Sequence, residues 1–131
     1  MSKGIKIKLK LLIISCILFC SSIASAYTAV VTWNTLSTKP TGYYVYYDTQ
    51  PIAPLKGTGI TQGNSPITVT TNTITLTNLS ATKSYSIAIA GYYAKTSTLP
   101  LIIGPLSTII TIPILPIAIT STTITITITN P

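Results

Sequence analysis

The sequence predicts an all-β protein, and three observations support this fold class. Beyond its first 26 residues the chain is rich in threonine, isoleucine and tyrosine, whose side chains suit the pleated, half-buried surface of a strand. Nine prolines and seven glycines divide the sequence into short alternating segments. After the N-terminal segment, no apolar repeat of ~3.6 residues persists over the length of a helix. Short strands joined by turns are therefore expected.

Residues 1–26 are predicted to be a secretory signal peptide. The positive start of this segment consists of four lysines, Lys3, Lys6, Lys8 and Lys10. The apolar stretch 11–19 follows, shorter than the ~20 residues that span a bilayer, and small residues at 24–26 predict cleavage between Ala26 and Tyr27. Two alternatives are an uncleaved N-terminal anchor and a lipoprotein signal ending at Cys20, which lacks the usual small residue just before it.

Removal of residues 1–26 changes both the cysteine content and the charge. Both cysteines, Cys16 and Cys20, lie in this segment, so the mature chain would have no disulfide and no cysteine-based metal site. The formal charge falls from +7 to +3, because the mature chain keeps one aspartate and four scattered lysines. These charged residues are Lys39, Lys56, Lys83, Lys95 and Asp48. Without a basic patch, nucleic-acid binding is not predicted.

The inventory of reactive side chains argues against an enzyme. The chain has no histidine and no glutamate, and Asp48 is its sole carboxylate side chain. General acid–base catalysis usually needs a pair of titratable groups, and metal sites need several ligands. No base is present to activate a serine or threonine, and no glycine-rich phosphate-binding motif occurs. We therefore predict a protein without catalytic residues, metal or cofactor.

The first two predicted strands are defined by a two-residue alternation. The inward row of the first strand consists of Ala29, Val31 and Trp33. That of the second strand, which follows a loop over 34–41, consists of Tyr43, Val45 and Tyr47. Tyr44 and Tyr46 then point to the opposite face, since successive strand residues alternate.

The later elements follow from breaks in the same alternation. Prolines and glycines predict a loop over 48–66 with at most one short edge strand. The apolar positions then change phase between 67–69 and 74–76, which predicts a turn near residues 71–72. A strand with Tyr85, Ile87 and Ile89 inward comes next, followed by a loop over 94–104 and a last strand over about 106–112.

Taken in order, these residues resemble a fibronectin type III domain over about residues 27–113. In that family a core tryptophan ends the second strand, as Trp33 does here, and a Tyr-x-Val-x-Tyr strand follows, as in residues 43–47. Leu79 precedes Tyr85 with the spacing of a tyrosine corner, so the Tyr85 hydroxyl is expected to bond to backbone near Leu79. The resemblance implies an immunoglobulin-like two-sheet sandwich.

Two departures from the family concern the ends of the chain. The predicted signal peptide ends directly before the second strand of the family's pattern, which leaves the first strand short or missing. Residues 114–131 continue beyond the last strand with a Thr/Ile alternation that predicts an extra C-terminal strand, either as a β-strand tail or as the truncated start of a second domain. This tail could fill the vacant first-strand position in its own molecule or in a neighbour, in which case strand donation would assemble a structural subunit.

A candidate binding surface follows from the family's strand order. Tyr44 and Tyr46 are expected to point outward beside Ala88, Ala90 and Tyr92. Because the two alanines are small, they would leave the tyrosine rings open for a protein or glycan. Alternatively, the rings simply pair across strands. We expect a secreted, periplasmic or cell-surface adhesion or binding module, with a self-assembling subunit and a carbohydrate-binding module as alternatives.

Overall fold

The computed structural model describes residues 25–35, 38–115 and 123–128. These residues form eight strands in sheets of three and five strands and contain no helix, so none forms a helix that could cross a membrane. The predicted all-β two-sheet sandwich is thereby confirmed. Most of the predicted signal peptide lies outside the described residues, and its expected cleavage point falls one residue into the first strand. The strands are β1 (Ala26–Trp33), β2 (Gly42–Asp48), β3 (Ile67–Val69), β4 (Thr73–Ser80), β5 (Tyr85–Tyr93), β6 (Ile102–Ile103), β7 (Ile110–Ile112) and β8 (Thr123–Ile128).

The three-stranded sheet has the order β4-β1-β8. Strand β1 pairs antiparallel with β4 on one side and parallel with β8 on the other. The extra C-terminal strand therefore lies where the sequence left a first strand short or missing, and it pairs with β1 of its own chain. The Thr32 hydroxyl adds a side-chain hydrogen bond across this junction, donated to the Ile126 carbonyl over 3.2 Å.

Hydrogen bonds at one end of the sandwich lead the chain towards this position. The Ala81 N–H donates to the Ser25 carbonyl over 2.9 Å, just before β1 begins. The Leu115 N–H in turn donates to the Ala81 carbonyl over 3.1 Å. The chain after β7 thus reaches the end at which the parallel β1–β8 ladder starts, with Thr28 opposite Thr123.

The five-stranded sheet has the order β3-β2-β5-β6, and β7 also pairs with β5. The predicted last strand over 106–112 is shorter in the structure, where only β7 is regular, and β6 forms within the predicted loop over 94–104. Pro105 lies between the two and has no N–H to donate to a ladder. Even so, the Gly104 and Ser107 N–H groups each donate to a β5 carbonyl over 2.8 Å, so this segment follows β5 along its length.

The two inward faces form one apolar core that includes the inward rows predicted for the first two strands. Trp33 meets Tyr43 edge-to-face across the two sheets, with ring centroids 5.2 Å apart. The Tyr85 hydroxyl accepts a hydrogen bond of 3.0 Å from the Ser80 N–H, one residue after Leu79. The fully or nearly fully buried members of the core are Tyr27, Ala29, Val31, Trp33, Tyr43, Val45, Tyr47, Ile60, Leu76, Leu79, Ala81, Tyr85, Ile87, Ile89 and Ile112.

Two buried polar atoms have no hydrogen-bond partner within the described part of the chain: the Tyr27 hydroxyl and the Trp33 indole nitrogen. The Tyr27 ring lies edge-on to Tyr85, with centroids 6.5 Å apart. Burial, and to a smaller extent the neighbouring Tyr85, raises the pKa of Tyr27 to about 12. The Tyr27 hydroxyl is therefore held neutral without a compensating bond, whereas that of Tyr85 is paired.

This contrast predicts opposite outcomes for two matched substitutions. Tyr85→Phe removes the acceptor of the Ser80 N–H, so we expect a loss of about 1 to 2 kcal/mol in the free energy of unfolding. Tyr27→Phe removes a hydroxyl that bonds to nothing described, so stability should be unchanged or higher. Urea denaturation at neutral pH measures both. An equal loss in the two variants would contradict the assigned role of the Tyr85 hydroxyl.

The raised pKa of Tyr27 also predicts that the free energy of unfolding depends on pH in the alkaline range, which a comparison of the wild type with Tyr27→Phe measures. Because the folded pKa of Tyr27 lies above the ordinary value of 10.0, the unfolded chain gives up this proton at lower pH than the folded one, so the free energy of unfolding falls as the pH rises from 10 towards 12. Tyr27→Phe should reduce this alkaline loss. A part should remain, since burial also raises the pKa of Tyr46 and of Tyr47. An unchanged alkaline profile would show that folding does not raise the pKa of Tyr27.

Candidate binding surface

The three tyrosines predicted as a binding surface lie together on the outer face of the five-stranded sheet. The register of β2 and β5 sets Tyr44 opposite Ala90, Tyr46 opposite Ala88 and Gly42 opposite Tyr92. Tyr44 stacks on Tyr92 with centroids 4.7 Å apart and an angle of 26°, and meets Tyr46 edge-on at 6.4 Å. We call Tyr44, Tyr46 and Tyr92 the tyrosine face.

Gly42 makes room for the stacked pair. A Cβ atom at this position would lie 2.7 Å from a ring carbon of Tyr92 and 2.8 Å from its hydroxyl, so the Tyr92 ring extends across β2. The three rings of the tyrosine face are half-buried. The expectation that small neighbours leave the rings open is therefore only partly met, because Tyr44 and Tyr92 cover one face of each other.

An apolar groove of about 410 Å³ begins at Tyr46. Its other lining residues on the sheet and in the loop after β2 are Ala90, Ala53, Pro54 and Leu55. The facing wall consists of Ile103, Gly104 and Leu106. No charged side chain lines the groove, and Ile103 and Leu106 keep 50% and 40% of their surface exposed. We call this feature the sheet groove.

Several apolar residues that precede the walls of the sheet groove in the sequence are also exposed. Leu99, Leu101 and Ile102 immediately precede its second wall and are about half exposed, and Ile52 precedes its first wall with 72% of its surface exposed. Single exposed apolar residues are ordinary, whereas contiguous apolar patches on soluble proteins mark interaction sites. The residues that line the sheet groove are contiguous and largely apolar.

Asp48 shapes the first wall of the sheet groove. One carboxylate oxygen accepts from the Thr49 and Gln50 N–H groups over 2.6 and 3.4 Å, and the other accepts from the Lys56 N–H over 2.9 Å. These hydrogen bonds lower the pKa of Asp48 below its ordinary value, and the bond from the Lys56 N–H has the largest effect. The sole carboxylate side chain of the chain thus closes the loop that carries residues 53–55.

Tyr47 and Ser65 hold the same loop from the core side. The Ser65 hydroxyl donates to the Leu55 carbonyl over 2.6 Å and accepts from the Tyr47 N–H over 3.1 Å. The Gly57 N–H donates to the Tyr47 carbonyl over 2.7 Å, and a Cβ at Gly57 would lie 2.6 Å from the Tyr47 ring. The Tyr47 hydroxyl donates to the Gly63 carbonyl over 2.7 Å. The predicted loop over 48–66 is therefore extensively hydrogen-bonded although it contains no strand.

The chemistry available at this surface is that of contact and hydrogen bonding. Burial, and secondarily Tyr44, raises the pKa of Tyr46, so its hydroxyl stays protonated at neutral pH and can donate a hydrogen bond. Among the described residues, no group of three or more histidine, cysteine, aspartate or glutamate side chains could hold a metal ion. The surface therefore offers apolar contacts and a few hydroxyl groups.

Sequence reasoning located the tyrosine face but missed the sheet groove. Its first wall comes from the predicted loop over 48–66, and its second comes from residues 103–106, at the border of the predicted loop over 94–104 and the predicted last strand. The meeting of these two segments depends on tertiary structure. A signal was present in the apolar run 99–103, which is unusual for a loop. Nothing in the sequence indicated that this run would lie beside residues 53–55.

Comparison of the whole chain with protein-family models, with curated proteins and with solved structures finds no match. The fold rests on the strand order and the core described above. Its two sheets are compatible with an immunoglobulin-like or fibronectin type III-like domain.

The hydrogen bonds of Asp48 yield a prediction for the first wall of the sheet groove. Asp48→Asn replaces one acceptor oxygen by an N–H donor, which leaves a backbone N–H of the loop unpaired. We expect the free energy of unfolding to fall by about 1 to 2 kcal/mol at neutral pH, measured by urea denaturation. Lys56→Ala serves as the control, because it keeps the backbone N–H that Asp48 accepts from, and should leave stability unchanged.

The wild-type protein should also lose this contribution in acid. Because the folded pKa of Asp48 is lowered, its stabilisation is complete above the ordinary value of 3.8 and disappears as the pH falls through the lowered value. The Asp48→Asn variant should lack this acid-dependent part. Equal acid profiles in the two proteins would contradict a structural role for the carboxylate.

Proposed function

We propose that the protein is a secreted, periplasmic or cell-surface, non-enzymatic binding module of the fibronectin type III type, and that it holds a protein partner in the sheet groove. Export is inferred from the signal-peptide pattern of residues 1–26. The apolar, uncharged and exposed character of the sheet groove is the observation that carries the proposal. A cell-adhesion role fits a module of this kind.

The fibronectin type III part of the proposal is supported by strand order and by two residues. In the three-stranded sheet β1 pairs with β4. In the five-stranded sheet the spatial order is β3, β2, β5 and then the β6–β7 segment, as in that family. Trp33 lies in the core at the end of β1, and the hydroxyl of Tyr85 bonds to the Ser80 N–H. The departure is at the first strand, whose place is taken by a parallel C-terminal strand.

A protein partner suits the surface better than a glycan. Sugar sites present a free aromatic face together with polar side chains that hydrogen-bond the hydroxyls of the sugar. Here Tyr44 and Tyr92 stack on each other, and aliphatic, proline and glycine residues form the walls. An apolar or aromatic side chain of a partner would fill such a groove, as anchor residues do in protein interfaces.

The same geometry supports the non-enzymatic character and weakens strand donation as the main role. Asp48 bonds to three backbone N–H groups of its own loop, so the one carboxylate side chain serves the structure. Strand donation needs an unoccupied position beside β1, whereas β8 of the same chain occupies it. Binding through the opposite sheet makes no demand on that position.

The proposal can be tested with two unbiased probes, a displayed random-peptide library and a glycan array, applied to the purified protein. We expect the library to yield peptides with an apolar or aromatic centre and the glycan array to remain negative. Leu106→Glu should weaken the binding of a selected peptide at least about tenfold, because it places a charge in the apolar wall. The control Ile114→Glu alters an isoleucine of 61% exposure outside the sheet groove and should bind normally.

The tyrosine face is tested with the double substitution Tyr44→Ala with Tyr46→Ala. Peptide binding should be lost while the protein stays folded, with a melting temperature lowered only by the loss of the ring contacts among Tyr44, Tyr46 and Tyr92. Selected peptides that bind Leu106→Glu and the double variant as tightly as the wild type would overturn the assignment of the site. Glycan binding without peptide binding would favour a carbohydrate-binding module instead.

A further inference from the structure

Strand β8 leaves an open edge on the three-stranded sheet. It has six residues, and no strand of the described part of the chain lies beyond it. An edge of this kind presents unpaired N–H and C=O groups, and proteins usually protect such edges with prolines, lysines, bulges or very short strands. The described residues 123–128 contain neither a proline nor a charge.

The other edges of the sandwich are protected. Strand β3 has three residues and follows Pro66, and β6 has two residues and is followed closely by Pro105. The outer edge of β4 is engaged by the preceding loop: the Thr77 N–H donates to the Gln62 side-chain oxygen over 2.8 Å, and the Thr61 N–H donates to the Thr77 carbonyl over 3.3 Å. β8 is the exception among the described strands.

The core-facing side of β8 is also incompletely covered. Ile124 and Ile126 pack against the core but are only half-buried, whereas Ala29 and Val31, their neighbours on β1, have no exposed surface. One further strand beside β8 would cover the two isoleucines and pair the free backbone groups at the same time. Both features therefore call for the same kind of occupant, an added strand.

Charge and sequence pattern identify the occupant as a second copy of this chain. Strands β1, β4 and β8 contain no lysine, arginine, aspartate or glutamate, so two such sheets can meet without like-charge repulsion although the whole chain is basic. The alternation of β8 is also self-complementary. When two antiparallel copies meet with Thr125 opposite Thr125, Ile124 of one copy faces Ile126 of the other on the core side.

We propose that two molecules form a symmetric dimer by antiparallel pairing of their β8 edges. The two-fold axis runs perpendicular to the sheet, so core faces stay on one side and the order becomes β4-β1-β8-β8-β1-β4. Because each β8 edge pairs with that of the other molecule, neither edge remains free and the assembly closes at two molecules. The sheet groove lies on the opposite sheet and remains free, so the inference does not depend on the proposed binding function.

The test is sedimentation velocity or light scattering over a range of protein concentrations. The protein used is the full chain after any signal cleavage by the cell that produces it. We expect a species of twice the monomer mass that dissociates on dilution. Thr125→Lys with Thr127→Lys should weaken it at least about tenfold, because lysines then oppose each other across the axis. The matched control is Thr75→Lys with Thr73→Lys, since these threonines flank Val30 and Thr32 from β4 as Thr125 and Thr127 flank them from β8.

Each outcome decides the proposal. All four threonines are exposed or lie at an exposed edge position, so both double variants should fold, which circular dichroism and the melting temperature verify. A wild-type protein that stays monomeric would overturn the proposal. A dimer that survives the β8 lysines would place the contact elsewhere or indicate exchange of the whole strand, because exchange leaves these side chains in solvent. Growth beyond two molecules would contradict the closed two-fold arrangement.

Discussion

Strand β1 lies between β4 and β8, and its inward row brings Ala29, Val31 and Trp33 into the centre of the core. With β8 absent, β1 would form the border of a two-stranded sheet, and its fully buried residues would lie next to solvent. Two strands alone are marginal in water, whereas three with a common apolar face can support a sandwich. The seating of β8 on β1 is therefore the constraint on which the core, and with it the sheet that carries the sheet groove, depends.

The described residues contain no cysteine, so packing and hydrogen bonds hold the two sheets together. The edge-to-face contact of Trp33 with Tyr43 joins the two sheets, and the hydroxyl of Tyr85 ties the turn after β4 to β5. Charge is used sparingly, since the single aspartate serves the loop beside the sheet groove. The proposed binding site and the proposed dimer contact therefore lie on different sheets, the sheet groove on the five-stranded sheet and the β8 edge on the three-stranded one.

Much of the fold was predictable because alternation defines inward rows without knowledge of tertiary contacts. Tyr43 and Tyr47 were assigned to the core in this way, and Tyr44 and Tyr46 to the outer face. The sheet groove was not predictable, because its first wall is a loop shaped by hydrogen bonds such as those of Asp48 and Ser65, and its second wall includes β6, which the sequence assigned to a loop. Strand β8 was recognised as a strand, but its parallel pairing with β1 is a tertiary contact that no local pattern encodes.

The most direct test of this account compares the stability of the full chain with that of a chain ending at residue 115, by urea denaturation at low protein concentration. Loss of β8 removes its ladder with β1 and uncovers the apolar row of β1. The account predicts that the shortened chain is unfolded, or less stable by at least about 3 kcal/mol. A shortened chain as stable as the full one would show that the sandwich is complete without β8 and would contradict the central claim.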